Sequence, residues 1–148
     1  MDKNQKKKFF TPGEANATLP LLRAIVQDIS SLAVTMRGRH ERLMKLTGAA
    51  DRRASAAEIE SLQSELEQTE ETMHGYLQEL DGLGVLLKDF VTGLIDFPAW
   101  MDDHEVYLCW RLGEPEVGHW HEIDAGFAGR QKLHPSIQPR PQGTASYR

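Results

Sequence analysis

The sequence predicts an α+β domain in which a long antiparallel two-helix hairpin precedes a small antiparallel β-meander of three or four strands. Two observations carry this prediction. In residues 9–82, apolar residues recur every three or four positions, as on one face of a helix. In residues 83–131 they alternate with polar residues between clusters of turn-forming residues. The 148 residues are 40% hydrophobic, enough for one domain with its own core.

The first helix has a clear start signal. Residues 11–14, Thr-Pro-Gly-Glu, have the form of a capping box with proline at the first helical position. The apolar stripe that follows continues to Leu46. Because Pro20 has no backbone N–H to donate, we expect a kink or a fresh start near Leu19.

A second helix follows after a short connection. Residues 55–58, Ser-Ala-Ala-Glu, form a second capping box, and the stripe behind them runs to Leu80 before Gly82 and Gly84 end it. The runs 20–46 and 56–81 are each roughly 40 Å long as helix. Equal lengths joined by a short loop predict an antiparallel hairpin.

Charge supports this pairing. The second helix is acidic and has no lysine or arginine, whereas the loop-proximal half of the first carries Arg37, Arg39, Arg42 and Lys45. The apolar stripe is longer than two helices can enclose, so the surplus must contact the C-terminal part or another chain. The sequence therefore predicts a homodimer that self-associates through the hairpin.

The strands are read from alternation and turn residues. We expect strands at residues 85–88, 93–98 (ended by Pro98), 105–112 and 117–123. Residues 1–8 are interpreted as a disordered basic tail and residues 132–148, rich in proline, as a second disordered tail. One domain over residues 9–131 remains, with the hairpin in 9–82 and the meander and a glycine loop in 83–131.

Composition excludes several classes of protein. Cys109 is the single cysteine, so no intramolecular disulfide can form. No continuous apolar run approaches the roughly 18 residues of a membrane helix. A formal charge of −5 argues against nucleic acid as a partner. We expect a cytoplasmic protein with no membrane partner.

The densest group of metal-ligand residue types is His119-Trp120-His121-Glu122-Ile123-Asp124. Residues two apart on a strand project from the same face, so both imidazoles can reach one ion. With Cys109 they would suit zinc, and Asp124 or water would complete the coordination. The alternative is that these residues are paired polar groups under the helices or at a dimer seam.

The turn length decides whether Cys109 joins the histidines. If five residues (113–117) close the turn, Cys109 faces His121 and Trp110 faces Trp120; if four close it, His121 faces Leu108. We predict the five-residue turn because it places both tryptophans on the apolar face. Cys109, His119 and His121 then share the other face.

A second candidate site is the glycine loop, residues 124–130. Gly126 and Gly129 can turn backbone amides inward, and Arg130 could hold a phosphate or carboxylate. The alternative is a glycine turn in which Arg130 pairs with an acidic neighbour, Asp124 or Glu122. No strand-then-helix context makes this loop a dinucleotide-binding signature.

Three C-terminal stretches, residues 93–98, 106–114 and 119–131, resemble the bacterial "domain of unknown function 2203" family, and the opening Phe9–Asn16 resembles that family's start. The resemblance covers residues 9–131 and implies a small bacterial cytoplasmic protein. It carries over no activity and no catalytic residue.

Two function classes follow from the residues. The first is a non-enzymatic structural or interaction protein that self-associates through its hairpin. The second is a metal-binding protein, with zinc as the expected ion, in which bound metal activates water for hydrolysis. No substrate or reaction is fixed, and whether the protein is an enzyme stays open.

Overall fold

The computed structural model describes residues 7–48 and 56–133 and confirms the predicted fold class. Two helices precede a five-stranded antiparallel sheet whose strands lie in chain order. The fifth strand is a two-residue addition beyond the glycine loop. The elements are α1 (Pro12–Thr47), α2 (Ala56–Leu83), β1 (Leu86–Asp89), β2 (Leu94–Met101), β3 (His104–Arg111), β4 (His119–Glu122), a 3-10 turn (Phe127–Gly129) and β5 (Gln131–Lys132).

Helix α1 begins as the sequence predicts and is longer than expected. The Glu14 amide donates to Thr11 Oγ1 at 3.1 Å, and Glu14 Oε1 accepts from the Thr11 amide at 2.9 Å. The fresh start expected near Leu19 is wrong, because the helix runs through Pro20 without interruption. Pro20 is exposed, while Leu19 and Leu22 are buried and hold this turn against the core.

The two helices pack as an antiparallel hairpin. Leu66, Met73 and Leu80 of α2 are buried. Near the connection, Arg42 lies 3.1 Å from Glu58 and Arg39 lies 3.8 Å from Glu65, so the basic half of α1 faces the acidic start of α2. The predicted N-cap Ser55 lies outside the described residues.

The N-terminal half of α1 covers one face of the sheet. Its residues join the sheet in a single hydrophobic core. The members on α1 are Leu19, Leu22, Ile25, Val26 and Ile29, and those on β2 and β3 include Ile95, Phe97, Val106, Leu108 and Trp110. The sheet therefore covers part of the apolar surface of α1 that, from the sequence alone, could equally have contacted a second copy of the chain.

Helix α1 also meets the length and composition of a membrane span. An 18-residue window within it has a mean hydropathy of 1.3, and 28% of that window is buried. A mean hydropathy over 18 residues does not show the charged residues that interrupt the apolar ones. In this structure Leu22 and Val26 are fully buried in the core, and Ser30 Oγ donates to the Val91 carbonyl. The helix packs on the sheet.

Strand β2 does not end at Pro98 as expected but continues to Met101. Strand β1 pairs only with residues 94–96 of β2, so Pro98 lies where that edge has no strand partner and a missing donor is tolerated. Phe10 reaches this edge, and its amide donates to the Pro98 carbonyl at 2.7 Å. Asp102 and Asp103, with φ of 51° and 66°, form the two-residue turn into β3.

The described structure extends beyond both expected boundaries of the domain. Lys7 pairs with Glu105, and Lys8 Nζ lies 4.7 Å above the ring of Phe10. At the other end Lys132 belongs to β5, and the Leu133 amide donates to the Gly118 carbonyl at 2.9 Å. The remainder of both predicted tails, 1–6 and 134–148, lies outside the described residues.

Candidate functional site

The register of β3 and β4 differs from the predicted one by two residues. Cys109 pairs with His119, not with His121, which pairs with Tyr107. β3 ends at Arg111 and β4 begins at His119, and in the connection between them the Val117 amide donates to Asn16 Oδ1 of α1 at 2.8 Å.

A shift of two residues preserves the side on which each residue projects. Cys109, His119 and His121 therefore share one face, while Trp120 pairs with Leu108 on the other. The assignment of faces is correct although the predicted pairing is not.

This face, which we call the outer face, is the one turned away from α1. A single row of cross-strand partners crosses it from Asp96 on β2 to Cys109 on β3, His119 on β4 and Lys132 on β5. His121 lies two residues along β4 from His119, on the same face. The meander thus brings polar residues from four strands together.

Asp96, Cys109 and His121 form what we call the Asp–Cys–His cluster. One ligand atom from each lies within 4.8 Å of the other two. The three residues are 2%, 0% and 2% exposed, although they lie on the face turned away from α1. Such burial of a carboxylate and an imidazole is costly unless they are paired or hold an ion.

The hydrogen bonds of His121 fix the orientation of its ring. Nδ1 lies 2.8 Å from the Glu122 carbonyl, an acceptor, so Nδ1 carries a proton and donates it. Nε2 faces Asp96 Oδ1 at 3.0 Å. A histidine that donates from one nitrogen to a backbone carbonyl and turns the other toward a ligand set is typical of metal sites.

Cys109 is held as a thiol in the metal-free protein. Burial raises its pKa to about 12, and the negative charge of Asp96 acts in the same direction. An activated cysteine nucleophile needs an imidazole or positive charge that lowers its pKa. The sulfur lies beside both the Asp96 carboxylate and the His121 imidazole, and its raised pKa disfavours a nucleophilic role.

The structure does not bring the other two predicted metal ligands into the cluster. Asp124 is exposed, and His119 is half-buried and outside the group of three. His119 Nδ1 is nevertheless buried and has no hydrogen-bond partner. Burial, with the nearby positive charge of Arg130, lowers the pKa of His119, so the ring is neutral near pH 7.

The glycine loop is a closed turn. The Gly129 amide donates to the Gly126 carbonyl, and the Arg130 amide donates to the Phe127 carbonyl, both at 3.1 Å. These two amides are therefore engaged within the turn. Of the predicted anion site, Gly126, Gly129 and Arg130, the amides of Gly129 and Arg130 are thus not available to an anion.

Arg130 pairs with an acidic residue that the sequence argument did not name. Its Nη2 donates to Glu114 Oε1 at 3.0 Å, whereas Glu122 pairs with His104. Burial acts to raise the pKa of Glu114, but the Arg130 hydrogen bond and the Arg111 amide outweigh it and keep the pKa below its ordinary value. Arg130 also stacks on Phe127 at 4.6 Å.

Asp96 is the site residue that the sequence reasoning missed. One signal could have identified it. Asp96 is the only charged residue in the strand Leu94–Met101, whose other members are apolar. A lone carboxylate inside a buried strand requires a partner. The two-residue turn at Asp102 and Asp103 would then have placed it beside Cys109.

Comparison with known proteins identifies a family. A family model described as "Uncharacterized conserved protein (DUF2203)" matches residues 8–133. Neither the curated proteins nor the solved structures contain a match to the chain. The match spans both helices and all five strands, including every residue of the site, so the chain belongs to the DUF2203 family.

Proposed function

We propose that this protein binds a divalent metal ion of the zinc type through Asp96, Cys109 and His121. The observation that carries the proposal is their convergence: three different ligand types, all buried, have ligand atoms within 4.8 Å of one another. They come from three neighbouring strands, so the rigid part of the fold and not a loop positions them.

The donor set favours zinc over harder cations. Thiolate, imidazole and carboxylate together suit zinc, whereas magnesium and calcium prefer oxygen ligands. A divalent ion would also balance charge, because the thiolate and carboxylate supply two negative charges. The Nδ1 hydrogen bond of His121 to the Glu122 carbonyl supplies the outer-shell orientation that metal-ligating histidines use.

Three protein ligands leave one position of a tetrahedral zinc ion for water or another ligand. A zinc-bound water with lowered pKa is the nucleophile of metal-dependent hydrolases. Within the described residues, Glu122 is turned to the opposite face, where it pairs with His104. It therefore cannot serve as the general base, and the proposal stops at metal binding with one open position.

The test is metal content and metal-dependent stability of the full chain, purified without a histidine tag. We expect one equivalent of zinc. With free zinc a thousandfold above its dissociation constant, Tm should rise by about 10 °C or more over the metal-free protein. Cys109→Ser and Asp96→Asn should each lose the zinc and the rise in Tm.

Two matched histidine variants complete this experiment. His104→Gln removes an exposed histidine that pairs with Glu122 and should leave zinc binding unchanged. His119→Gln should also keep the zinc, because His119 lies outside the cluster. Retention of zinc by Cys109→Ser, or absence of zinc and of any rise in Tm in the parent protein, would contradict the proposal.

Self-association through the hairpin is a separate proposal with less support. Leu66 and Met73 are already buried within the chain. The large exposed apolar residues of α1 are Leu21, Val34 and Met44, and Leu21 lies about 140° around the helix from both others. Light scattering tests the dimer, and a monomer at high micromolar concentration would contradict it.

A further inference from the structure

The outer face carries a second group of side chains beside the Asp–Cys–His cluster. We propose that Arg130, His119 and Lys132 bind an oxyanion, that is, the phosphate or carboxylate group of a small molecule. This goes beyond metal binding and does not rest on it, since none of the three is a ligand in the proposed metal site.

Two buried atoms in this group have no hydrogen-bond partner. Among the side chains in the described residues, only Trp100 Nε1, His119 Nδ1 and Arg130 Nε are buried and unpaired. An unpaired buried donor costs about 1–3 kcal/mol, so each needs an explanation. His119 and Arg130, which hold two of these three atoms, are neighbours, because the charge of Arg130 acts on the His119 ring.

The guanidinium of Arg130 is held in place with donors to spare. One nitrogen donates to Glu114 at 3.0 Å, and the Phe127 ring lies 4.6 Å from the guanidinium carbon. The side chain is 12% exposed. A guanidinium fixed at one edge and on one face presents its remaining N–H groups in the planar arrangement that matches carboxylate or phosphate.

The charge balance of this group favours an anion. Lys132 is the cross-strand partner of His119 and projects from the same face, and its charge also acts on the His119 ring. The guanidinium carbon of Arg111 lies 5.4 Å from the centroid of the Phe127 ring. Glu114 neutralises Arg130. The positive charges of Arg111 and Lys132 remain near the two unpaired nitrogen atoms, His119 Nδ1 and Arg130 Nε.

The buried Nδ1 of His119 also fits this assignment. Among the described residues it has no hydrogen-bond partner, so in the tautomer that carries its proton on Nδ1 the ring can donate to an anion oxygen. The structure thus assigns hydrogen-bond donation to Arg130 and His119 and long-range attraction to the exposed Lys132.

The test uses the metal-free full chain, labelled with ¹⁵N, so that it is independent of the proposed metal site. Inorganic phosphate and acetate are titrated separately at constant ionic strength while the Arg130 Nε–H and His119 ring resonances are followed. For at least one of the two anions, we expect the chemical shifts of both resonances to change with the same saturable dependence on anion concentration. The preferred anion identifies the oxyanion class.

Substitutions test whether the changes in chemical shift result from anion binding at Arg130, His119 and Lys132. Arg130→Gln should weaken binding at least about tenfold, because a charge-assisted hydrogen bond is lost. Lys132→Gln, at an exposed position that should not disturb folding, should weaken it by about threefold. Arg42→Gln, on the hairpin, should change nothing.

Three outcomes would overturn the proposal. The first is no saturable shift with either anion. The second is a curve that is the same in Arg130→Gln and Lys132→Gln as in the parent protein. The third is a shift of the Arg42 Nε–H resonance in parallel with that of Arg130, which would indicate general screening of charge.

Discussion

The two faces of the sheet both contain fully buried residues, but these residues differ in their surroundings. Leu108 and Cys109 are neighbours on β3, and both are 0% exposed. Leu108 contributes to the apolar core shared with α1, whereas Cys109 lies among polar groups on the outer face. Burial of the first stabilises the fold directly. Burial of the second requires desolvation of Asp96 and His121, which pair with each other at 3.0 Å.

The largest expected effect comes from changing these neighbours separately. Leu108→Ala should lower the free energy of unfolding by about 2–5 kcal/mol, because it opens a cavity in the core. The loss should be the same with and without zinc. Chemical denaturation of the metal-free and zinc-loaded proteins measures it.

Cys109→Ala is the matched change on the other face. It should cost only about 1 kcal/mol in metal-free protein, where the thiol acts as a small buried side chain. It should also remove the whole stabilisation by zinc. Equal losses for both variants under both conditions would show that the two faces do not differ in role.

A second prediction compares two glycines, one at the sheet and one in the hairpin. Gly93 has φ of +71°, and a Cβ there would lie 2.7 Å from Leu112 Cβ and 2.7 Å from Val26 Cγ1. Gly93→Ala should therefore lower the free energy of unfolding by about 3 kcal/mol, through strain and overpacking. Thermal or chemical unfolding measures the change.

Gly75 in α2 provides the control, since a Cβ there meets nothing within 4 Å. Gly75→Ala should stabilise the protein by about 1 kcal/mol, because alanine has the higher helix propensity. A Gly93→Ala variant as stable as the parent would mean that the junction of α1 with the sheet is looser than described.

The smallest effect concerns His104, at the turn between β2 and β3. The Asp102 carbonyl and the Glu122 carboxylate raise the pKa of His104 above its ordinary value of 6.5. A raised pKa in the folded state gives stability that is fully present below pH 6.5 and is lost as pH rises through the folded pKa. NMR titration of the ring should show the raised pKa.

His104→Gln should remove this pH-dependent increment and leave stability above that range nearly unchanged. The comparison is a set of unfolding curves for parent and variant across the titration. If the His104 ring titrates below 6.5, its pairing with Glu122 does not persist in solution.

The helices could be predicted from the sequence because their signals are local. Capping residues and apolar spacing lie within the segment that they describe, as the Thr11–Glu14 capping box shows. At Pro20 the sequence left a kink or a fresh start open, and the helix runs through this position, with Leu19 and Leu22 buried in the core. Local rules do not include that packing.

The site could be predicted only in part for the same reason. Alternation along β3 and β4, together with the requirement that both tryptophans lie on the apolar face, placed Cys109 and His121 on one face. It did not fix the register, and the bond from the Val117 amide to Asn16 of α1, about a hundred residues away, is a tertiary contact that local patterns do not include. Asp96 joins the cluster through pairing of β2 with β3, and Arg130 reaches Glu114 through the tertiary fold.

Cobalt substitution tests the central claim, metal binding by the Asp–Cys–His cluster, most directly. Co²⁺ can occupy zinc sites, and its visible absorption reports coordination geometry and the presence of a thiolate ligand. Titration of the metal-free full chain should give intense tetrahedral bands and a thiolate-to-cobalt charge-transfer band, both complete at one equivalent. Cys109→Ser should lose the charge-transfer band, while His104→Gln should keep it. A weak octahedral spectrum, or a spectrum unchanged in Cys109→Ser, would contradict the account.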